Sequence, residues 1–153
     1  MALNIADLTI TSPVFGNLEP MPQRTTQYGE NVQPPLRVEG VPNGAVELAI
    51  ICHDPDAPLP WGFTHWTLYG IPADTTDLPE GEADAHFRPG PTDKGIDAYV
   101  GPRPPAGHGQ HHYYFWVYAL DRPVDGTPSR REFLDGYADA IIEQNRTVGI
   151  YER

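Results

Sequence analysis

The segment "GPRPPAGHGQHHYYFWVYALD" (residues 101–121) joins a stiff, turn-rich half to a half that is almost wholly apolar. The second half, residues 111–121, predicts a strand that is apolar on both faces, as is typical of a central strand in a sheet covered on both sides. The prolines and glycines before it predict a rigid loop, because each proline fixes its own backbone angle φ. Neighbouring residues of a strand point to opposite faces, so His111 and His112 cannot both belong to one site.

Two further apolar segments predict strands, because each is too short for a helix between its turn signals. AVELAIICH (residues 45–53) lies between an Asn-Gly and an Asp-Pro sequence, and FTHWTLYGI (residues 63–71) follows a proline-rich turn. Alternating residues at 6–12 and at 35–41 predict shorter strands, and the ending VGIYER favours one more.

One segment predicts a helix. SRREFLDGYADAIIEQN (residues 129–145) opens with Ser129 and has Glu132 three residues later, which is a capping box, and its apolar residues recur at helical spacing. The 18 prolines and 15 glycines are dispersed along the chain, which is typical of β folds with many turns. We therefore expect one mostly β, antiparallel domain over residues 1–153, with a single C-terminal helix at 129–145.

The composition narrows the range of partners and locations. The net charge is −11 and Lys94 is the only lysine, so nucleic acid and anionic bilayers are poor partners, and the acidic surface favours solubility. The single cysteine, Cys52, excludes an internal disulfide and a zinc ribbon or finger. The N-terminus lacks the basic segment of a signal peptide, and no stretch approaches about 18 uncharged apolar residues. We expect a cytoplasmic protein without integral membrane association.

Polar residues cluster where the predicted strands end. HDPDAPLPWGFTHW (residues 53–66) puts Asp54 at the end of one strand and His65 near the start of the next. If these strands neighbour the one at 111–121, the side chains of Asp54, His65, His111 and Tyr113 converge at one rim. Imidazolium and hydroxyl groups donate hydrogen bonds to phosphate or carboxylate oxygens, so this rim favours an anion. The bond between Asp54 and Pro55 is a candidate cis peptide, because a tight functional turn favours one.

Structural interpretations of the same residues stay open. Asp-Pro-Asp at 54–56 is also an ordinary turn sequence, and the aromatic residues at 113–118 also suit a core. The chain has no phosphate-binding loop, nucleophile elbow, dinucleotide fingerprint or zinc-protease helix motif. Spacing alone therefore identifies no catalytic site.

Taken together, DPDAP (54–58), HW (65–66) and YVGPRPPAGHGQHHYYFWVYALD (99–121) resemble the phosphatidylethanolamine-binding protein family, which includes the Raf kinase inhibitor protein. The resemblance covers residues 28–153 and is greatest with the compact bacterial and archaeal branch. It implies a β-sandwich-like fold with a small anion pocket at one end. The matching motif residues imply a pocket lined by Asp54, His65, Pro104, Pro105, His111 and Tyr113. Secondary candidates on the same segments are Asp56, Trp66, Arg103 and Gly107.

The resemblance implies a non-enzymatic protein that binds a small anion or a phospholipid headgroup, without a cofactor or metal. Its family role implies a regulator that resembles a kinase inhibitor, with a protein kinase or another protein as partner. The alternative is a hydrolase or lyase in which His65 and His111 act as acid and base beside Asp54. A metal-assisted form of it would use Asp54, Asp56, His65 and His111 as ligands. A pure interaction scaffold and a homodimer are further alternatives.

Overall fold

The computed structural model describes residues 5–153; residues 1–4, the start of the N-terminal segment discussed above, lie outside the described residues. The described chain forms nine strands, two short α-helices and two 3-10 turns. The strands are β1 (Thr9–Thr11), β2 (Glu19–Pro20), β3 (Leu36–Glu39), β4 (Glu47–Asp54), β5 (Phe63–Pro72), β6 (Asp77–Leu78), β7 (Arg88–Pro89), β8 (His111–Leu120) and β9 (Ile141–Tyr151). The helices are α1 (Ala83–His86) and α2 (Arg130–Gly136), and the 3-10 turns are Gln23–Thr25 and Ala138–Ala140.

The strands form two sheets. The large sheet has the order β2-β9-β8-β4-β5-β7 and the small sheet the order β1-β3-β6. All pairs are antiparallel except β2 with β9. The predicted strands at 45–53, 63–71 and 111–121 correspond to β4, β5 and β8, which are neighbours at the centre of the large sheet. The predicted mostly β, antiparallel fold is confirmed.

The main core fills the space between the two sheets. Ile10 and Val38 of the small sheet belong to the same buried cluster as Ile50, Leu68 and Val117 of the large sheet. Along β4, Leu48, Ile50 and Cys52 belong to this cluster whereas Ala49 and Ile51 do not, so the large sheet contributes one face to this core.

A second core covers the opposite face of the large sheet. Ile51 and Tyr118 of the sheet cluster there with Phe133 of α2. Because both faces of the sheet are covered, every residue of β4 is buried. This explains why the central strands read as continuous apolar runs.

The predicted helix at 129–145 is wrong in its second half. The capping box of Ser129 and Glu132 is present, but α2 ends at Gly136, a residue type that disfavours helix. After the 3-10 turn, the chain from Ile141 onward enters β9, which pairs with β8 along nearly its whole length. Isoleucines at 141 and 142 that fit a helical stripe suit a strand equally well, and the backbone pairing with β8 decides between the two.

A β-bulge in β5 changes the direction of His65. Cys52 of β4 pairs with Trp66, whereas the next residue, His53, pairs with Thr64, so His65 is an extra residue between the two pairs. His65 and Trp66 therefore share the face of the sheet that adjoins the main core. Strict alternation along the strand would have turned one of them away from it.

His53 lies near the end of β4 and faces the second core, opposite Asp54. It is only 7% exposed, and its Nδ1 lies 3.2 Å from Oγ1 of Thr64. Burial, followed by the positive charge of Arg130, lowers the pKa of His53 to about 4. The imidazole is therefore neutral in the folded protein at neutral pH.

We expect the free energy of unfolding to decrease as the pH falls from 6.5 through 4. In this range the unfolded chain protonates His53, whose ordinary pKa is about 6.5, while the folded chain does not, so protons favour unfolding. The difference between the two pKa values corresponds to about 3 kcal/mol in the free energy of unfolding. This contribution is present above pH 6.5 and is lost as the pH falls through 4. Urea denaturation at pH 7, 5.5 and 4.5 measures it.

The His53→Gln variant should lose much of this pH dependence, and His86→Gln, which alters an exposed histidine, is the matched control. Equal pH dependence in the two variants would contradict the assignment. Some dependence should remain in His53→Gln, because burial also lowers the pKa of His65.

Candidate functional site

A cavity of about 520 Å³ opens at the end of the large sheet where β4 ends and its two neighbours, β5 and β8, begin. All six residues that the sequence predicted for a pocket line it: Asp54, His65, Pro104, Pro105, His111 and Tyr113. The antiparallel order β8-β4-β5 explains the convergence, because the end of β4 meets the start of both neighbours. The role of these residues in binding a ligand stays a prediction.

Asp54 and His111 form a buried pair at this cavity. Nδ1 of His111 lies 2.7 Å from Oδ2 of Asp54, and the two side chains are 6% and 3% exposed. The other carboxylate oxygen of Asp54 accepts the backbone N–H of Asp56 at 2.7 Å. With both oxygens of Asp54 engaged, His111 is held by Nδ1, and its Nε2 is the nitrogen left for other groups. Nδ1 of the exposed His108 lies 3.4 Å from that Nε2.

The turn after β4 needs no cis peptide. Every peptide bond of residues 5–153 is trans, so the predicted cis bond between Asp54 and Pro55 is wrong. The bond from the Asp56 N–H to the Asp54 carboxylate forms an Asx turn, which reverses the chain direction with trans geometry.

His65 is fixed by a backbone carbonyl. Its Nδ1 lies 2.7 Å from the carbonyl oxygen of Val100, which can only accept, so Nδ1 carries the proton. Neutral His65 therefore presents Nε2 as an acceptor, and protonated His65 presents it as a donor. Burial lowers the pKa of His65 from its ordinary value. Its ring meets Tyr113 edge-on, with 5.2 Å between the ring centroids.

Tyr113 contributes a hydroxyl donor to the cavity. The residue is 1% exposed, and burial, followed by the charge of Asp54, raises the pKa of its phenol. The phenol thus stays protonated across the physiological range. Within residues 5–153, no side chain or backbone group forms a hydrogen bond with this hydroxyl.

Two cationic side chains also line the cavity. Arg103 was a secondary candidate, but Lys94 was missed by the sequence analysis. Lys94 Nζ donates to Oε1 of Gln27 at 2.6 Å, and Arg103 forms no ion pair with any described residue. Lys94 is the only lysine of the sequence, which was the one signal that could have identified it. No local motif connects it to residues 53–66 or 101–121, which supplied the other candidates. Apolar residues complete the lining, among them Pro58, Leu59 and Phe63.

Three secondary candidates do not line the cavity. The Asp56 carboxylate binds His112, at 2.7 Å from both its backbone nitrogen and its Nδ1, so both side chains are occupied outside the cavity. Trp66 is buried in the main core and donates from Nε1 to Asp84 at 2.8 Å. Gly107 lies on the exposed loop, where its N–H donates to the carbonyl of Arg153.

The four side chains proposed as metal ligands in the metal-assisted enzyme are not grouped together. Asp56, one of its four members, is turned toward His112 instead. Across residues 5–153, no three histidine, cysteine, aspartate or glutamate side chains are grouped so that they could hold a metal ion.

The two α-helices within residues 5–153 are short. Neither of them has the length and apolar character needed to cross a membrane.

Comparisons with known proteins agree on one family. The sequence profile described as phosphatidylethanolamine-binding protein matches residues 11–152. A UPF0098 protein of Pyrococcus horikoshii is 43% identical over 151 residues, which cover 93% of this chain and 75% of the relative. A relative from Mycobacterium tuberculosis, named "Putative lipoprotein LppC", is 37% identical over 147 residues, covering 95% and 72% of the two chains.

The fold has a close counterpart among solved structures. Escherichia coli YbcL, described as a new member of the mammalian family, superposes with a TM-score of 0.88 at 31% identity, over 97% of this chain and 99% of that one. The profile match covers nearly the whole chain, and the relatives and the fold agree with it. This chain belongs to the phosphatidylethanolamine-binding protein family.

Proposed function

We propose that this protein is a non-enzymatic binding protein for a small oxyanion, such as phosphate, a carboxylate or the phosphate of a phospholipid headgroup. The observation that carries the proposal is the buried pair of Asp54 and His111 at a cavity whose other polar groups can mostly donate. Asp54 holds His111 by Nδ1, and Nε2 of His111 donates to an anion when the imidazole is protonated. The hydroxyl of Tyr113 offers a second donor beside it.

The charges at the cavity support an anionic ligand although the whole chain carries −11. Both oxygens of Asp54 already accept hydrogen bonds from the protein, and an oxygen of Asp93 accepts the Thr64 N–H at 2.7 Å. Lys94 and Arg103 line the opening. Charges elsewhere on the surface are screened beyond about 8–10 Å at physiological salt, so the local donors dominate.

The alternative of a hydrolase or lyase has its acid–base candidates, His65 and His111, at the same cavity. It would have to proceed without a serine, threonine or cysteine nucleophile, because the described lining of the cavity includes none of these residue types. Cys52 is buried in the main core, and burial raises the pKa of its thiol, which makes it a poor nucleophile.

Three further expectations stay predictions: control of a protein kinase, formation of a homodimer and a cytoplasmic location. The mycobacterial relative is named a lipoprotein, which argues against assuming a cytoplasmic location.

The His111→Ala variant should weaken binding by about tenfold to a hundredfold, the scale of one lost charge-assisted hydrogen bond. His112→Ala is the matched control, because His112 is the next residue, faces the other side of β8 and pairs with Asp56. Isothermal titration calorimetry with phosphate, acetate and phosphoethanolamine at pH 5.5 measures both. Equal affinities of the two variants would remove His111 from the site, and no binding by the wild-type protein would overturn the proposal.

Binding should strengthen as the pH falls, with the steepest change below pH 6.5. Protonated His65 donates from Nε2 to an anion and neutral His65 does not, so a bound anion raises the pKa of His65. Binding therefore takes up a proton at pH values between the pKa of the free imidazole and that of the bound one. Burial lowers the pKa of free His65 below about 6.5, so this uptake persists below that pH. One proton taken up gives at most about a tenfold change in affinity per pH unit.

Sulfate is the suitable probe for this experiment, because its charge is constant between pH 8 and pH 5.5. The His65→Gln variant should have a weaker pH dependence than the wild-type protein, because only His111 then remains to donate on protonation, while His86→Gln should retain the full dependence. An affinity for sulfate that is the same in the wild-type protein at pH 8 and pH 5.5 would show that no histidine of the cavity donates to the ligand.

A further inference from the structure

A second cavity, of about 360 Å³, lies on the other face of the large sheet. Its lining includes Trp61 of the loop before β5, Thr64 of β5, Thr92 and Asp93 of the loop after β7, and Arg130 and Arg131 of α2. Thr64 and His65 are adjacent in β5 but line different cavities, because their side chains leave opposite faces of the sheet. Asp93 lies between the cavities and lines both.

Arg130 is the feature of this cavity that the fold leaves unexplained. Its Nε is buried and has no hydrogen-bond partner, alone among buried side-chain nitrogen and oxygen atoms of residues 5–153. The guanidinium also forms no ion pair within that range. Burial lowers the pKa of Arg130 from its ordinary value. Burial of Nε without an acceptor disfavours the charged guanidinium, and an anion at the terminal nitrogens, which form no hydrogen bond or ion pair within residues 5–153, would stabilise it.

Arg131 and Trp61 form the outer wall. The guanidinium carbon of Arg131 lies 4.1 Å from the centroid of the Trp61 ring, and Trp61 is 68% exposed. One face of the indole is therefore covered by a cation, while much of the ring remains accessible. Leu134 and Pro91 add apolar surface. An exposed aromatic ring beside apolar side chains favours a ligand with a planar or apolar portion.

The acidic side chains nearby leave room for an anion at Arg130. One oxygen of Asp93 accepts the backbone N–H of Thr64 at 2.7 Å, and this carboxylate is not within ion-pair distance of Arg130. Glu132 is turned back to the backbone N–H of Ser129 in the capping box. Asp135 is exposed at the rim. Neither carboxylate that lines the cavity thus supplies the acceptor that Arg130 lacks.

We propose that this second cavity binds an oxyanion, a phosphate monoester or a carboxylate, carried on an aromatic group. The terminal nitrogens of the Arg130 guanidinium donate to the oxyanion, as a planar fork does. The aromatic group of the ligand contacts Trp61 and Leu134. The site is independent of the anion cavity described above, since the two share only Asp93.

Nuclear magnetic resonance titration of the wild-type protein tests the proposal, with phenyl phosphate, benzoate and inorganic phosphate as probes. We expect the resonances of the Trp61 indole N–H and the Arg130 Nε–H to shift with phenyl phosphate or benzoate at lower concentration than with inorganic phosphate. The relative strength of the first two probes distinguishes a phosphate from a carboxylate ligand. No shift of either resonance with any probe would overturn the proposal, and this result needs no variant.

The Arg130→Gln variant should weaken the aromatic probe at this site by about tenfold or more, the scale of a lost charge-assisted pair. Arg122→Gln removes the same charge from an exposed pair with Asp139 and should change nothing here. His111→Ala should retain this site while it loses the first one, so failure of one proposal is distinguishable from failure of the other. Equal binding by Arg130→Gln and Arg122→Gln would overturn the assignment, and thermal unfolding of each variant verifies that it is folded.

Discussion

The antiparallel pairing of β4 with β8 brings together the buried pair on which the first cavity depends. Cys52 pairs with Phe115 and His53 with Tyr114, so Asp54, the next residue, arrives beside the start of β8. That register allows the Asp54 carboxylate to reach His111. A slip by one residue would turn the apolar side chains of β8 from one core to the other, so the two cores together enforce the register. The packing of the sheet and the geometry of the cavity thus have the same cause.

The large sheet separates the two cavities, and its central strands contribute side chains to both of them. On one face, Asp54 and His111 meet at the first cavity; on the other, His53 is kept neutral by burial and by the charge of Arg130. An anion bound by Arg130 would offset the charge that acts on His53. The two cavities therefore differ in electrostatics as well as position, although they share Asp93 as a boundary.

The acidic composition conceals an uneven distribution of positive charge. Among residues 5–153, three arginines pair with carboxylates on the surface: Arg24, Arg37 and Arg122. Four other basic side chains line the two cavities and form no ion pair with a carboxylate of the described residues: Lys94, Arg103, Arg130 and Arg131. Exposed ion pairs contribute little to stability, whereas an unpaired cation in a concave site is available to a ligand. The net charge of the chain therefore says little about what its cavities can bind.

The sequence by itself determined the three central strands and the motif residues at their ends, because alternating or continuous apolar runs bounded by Pro and Gly are local patterns. It did not determine that the segment from Ile141 is a strand, since only pairing with β8 overrides the helical pattern there. The tertiary structure also decided the direction of His65, through a bulge that depends on the register between β4 and β5. Lys94 and Arg130 line their cavities because a distant loop and α2 pack beside the central strands. Register, burial and the approach of distant loops are properties of contacts between segments, and no single segment encodes them.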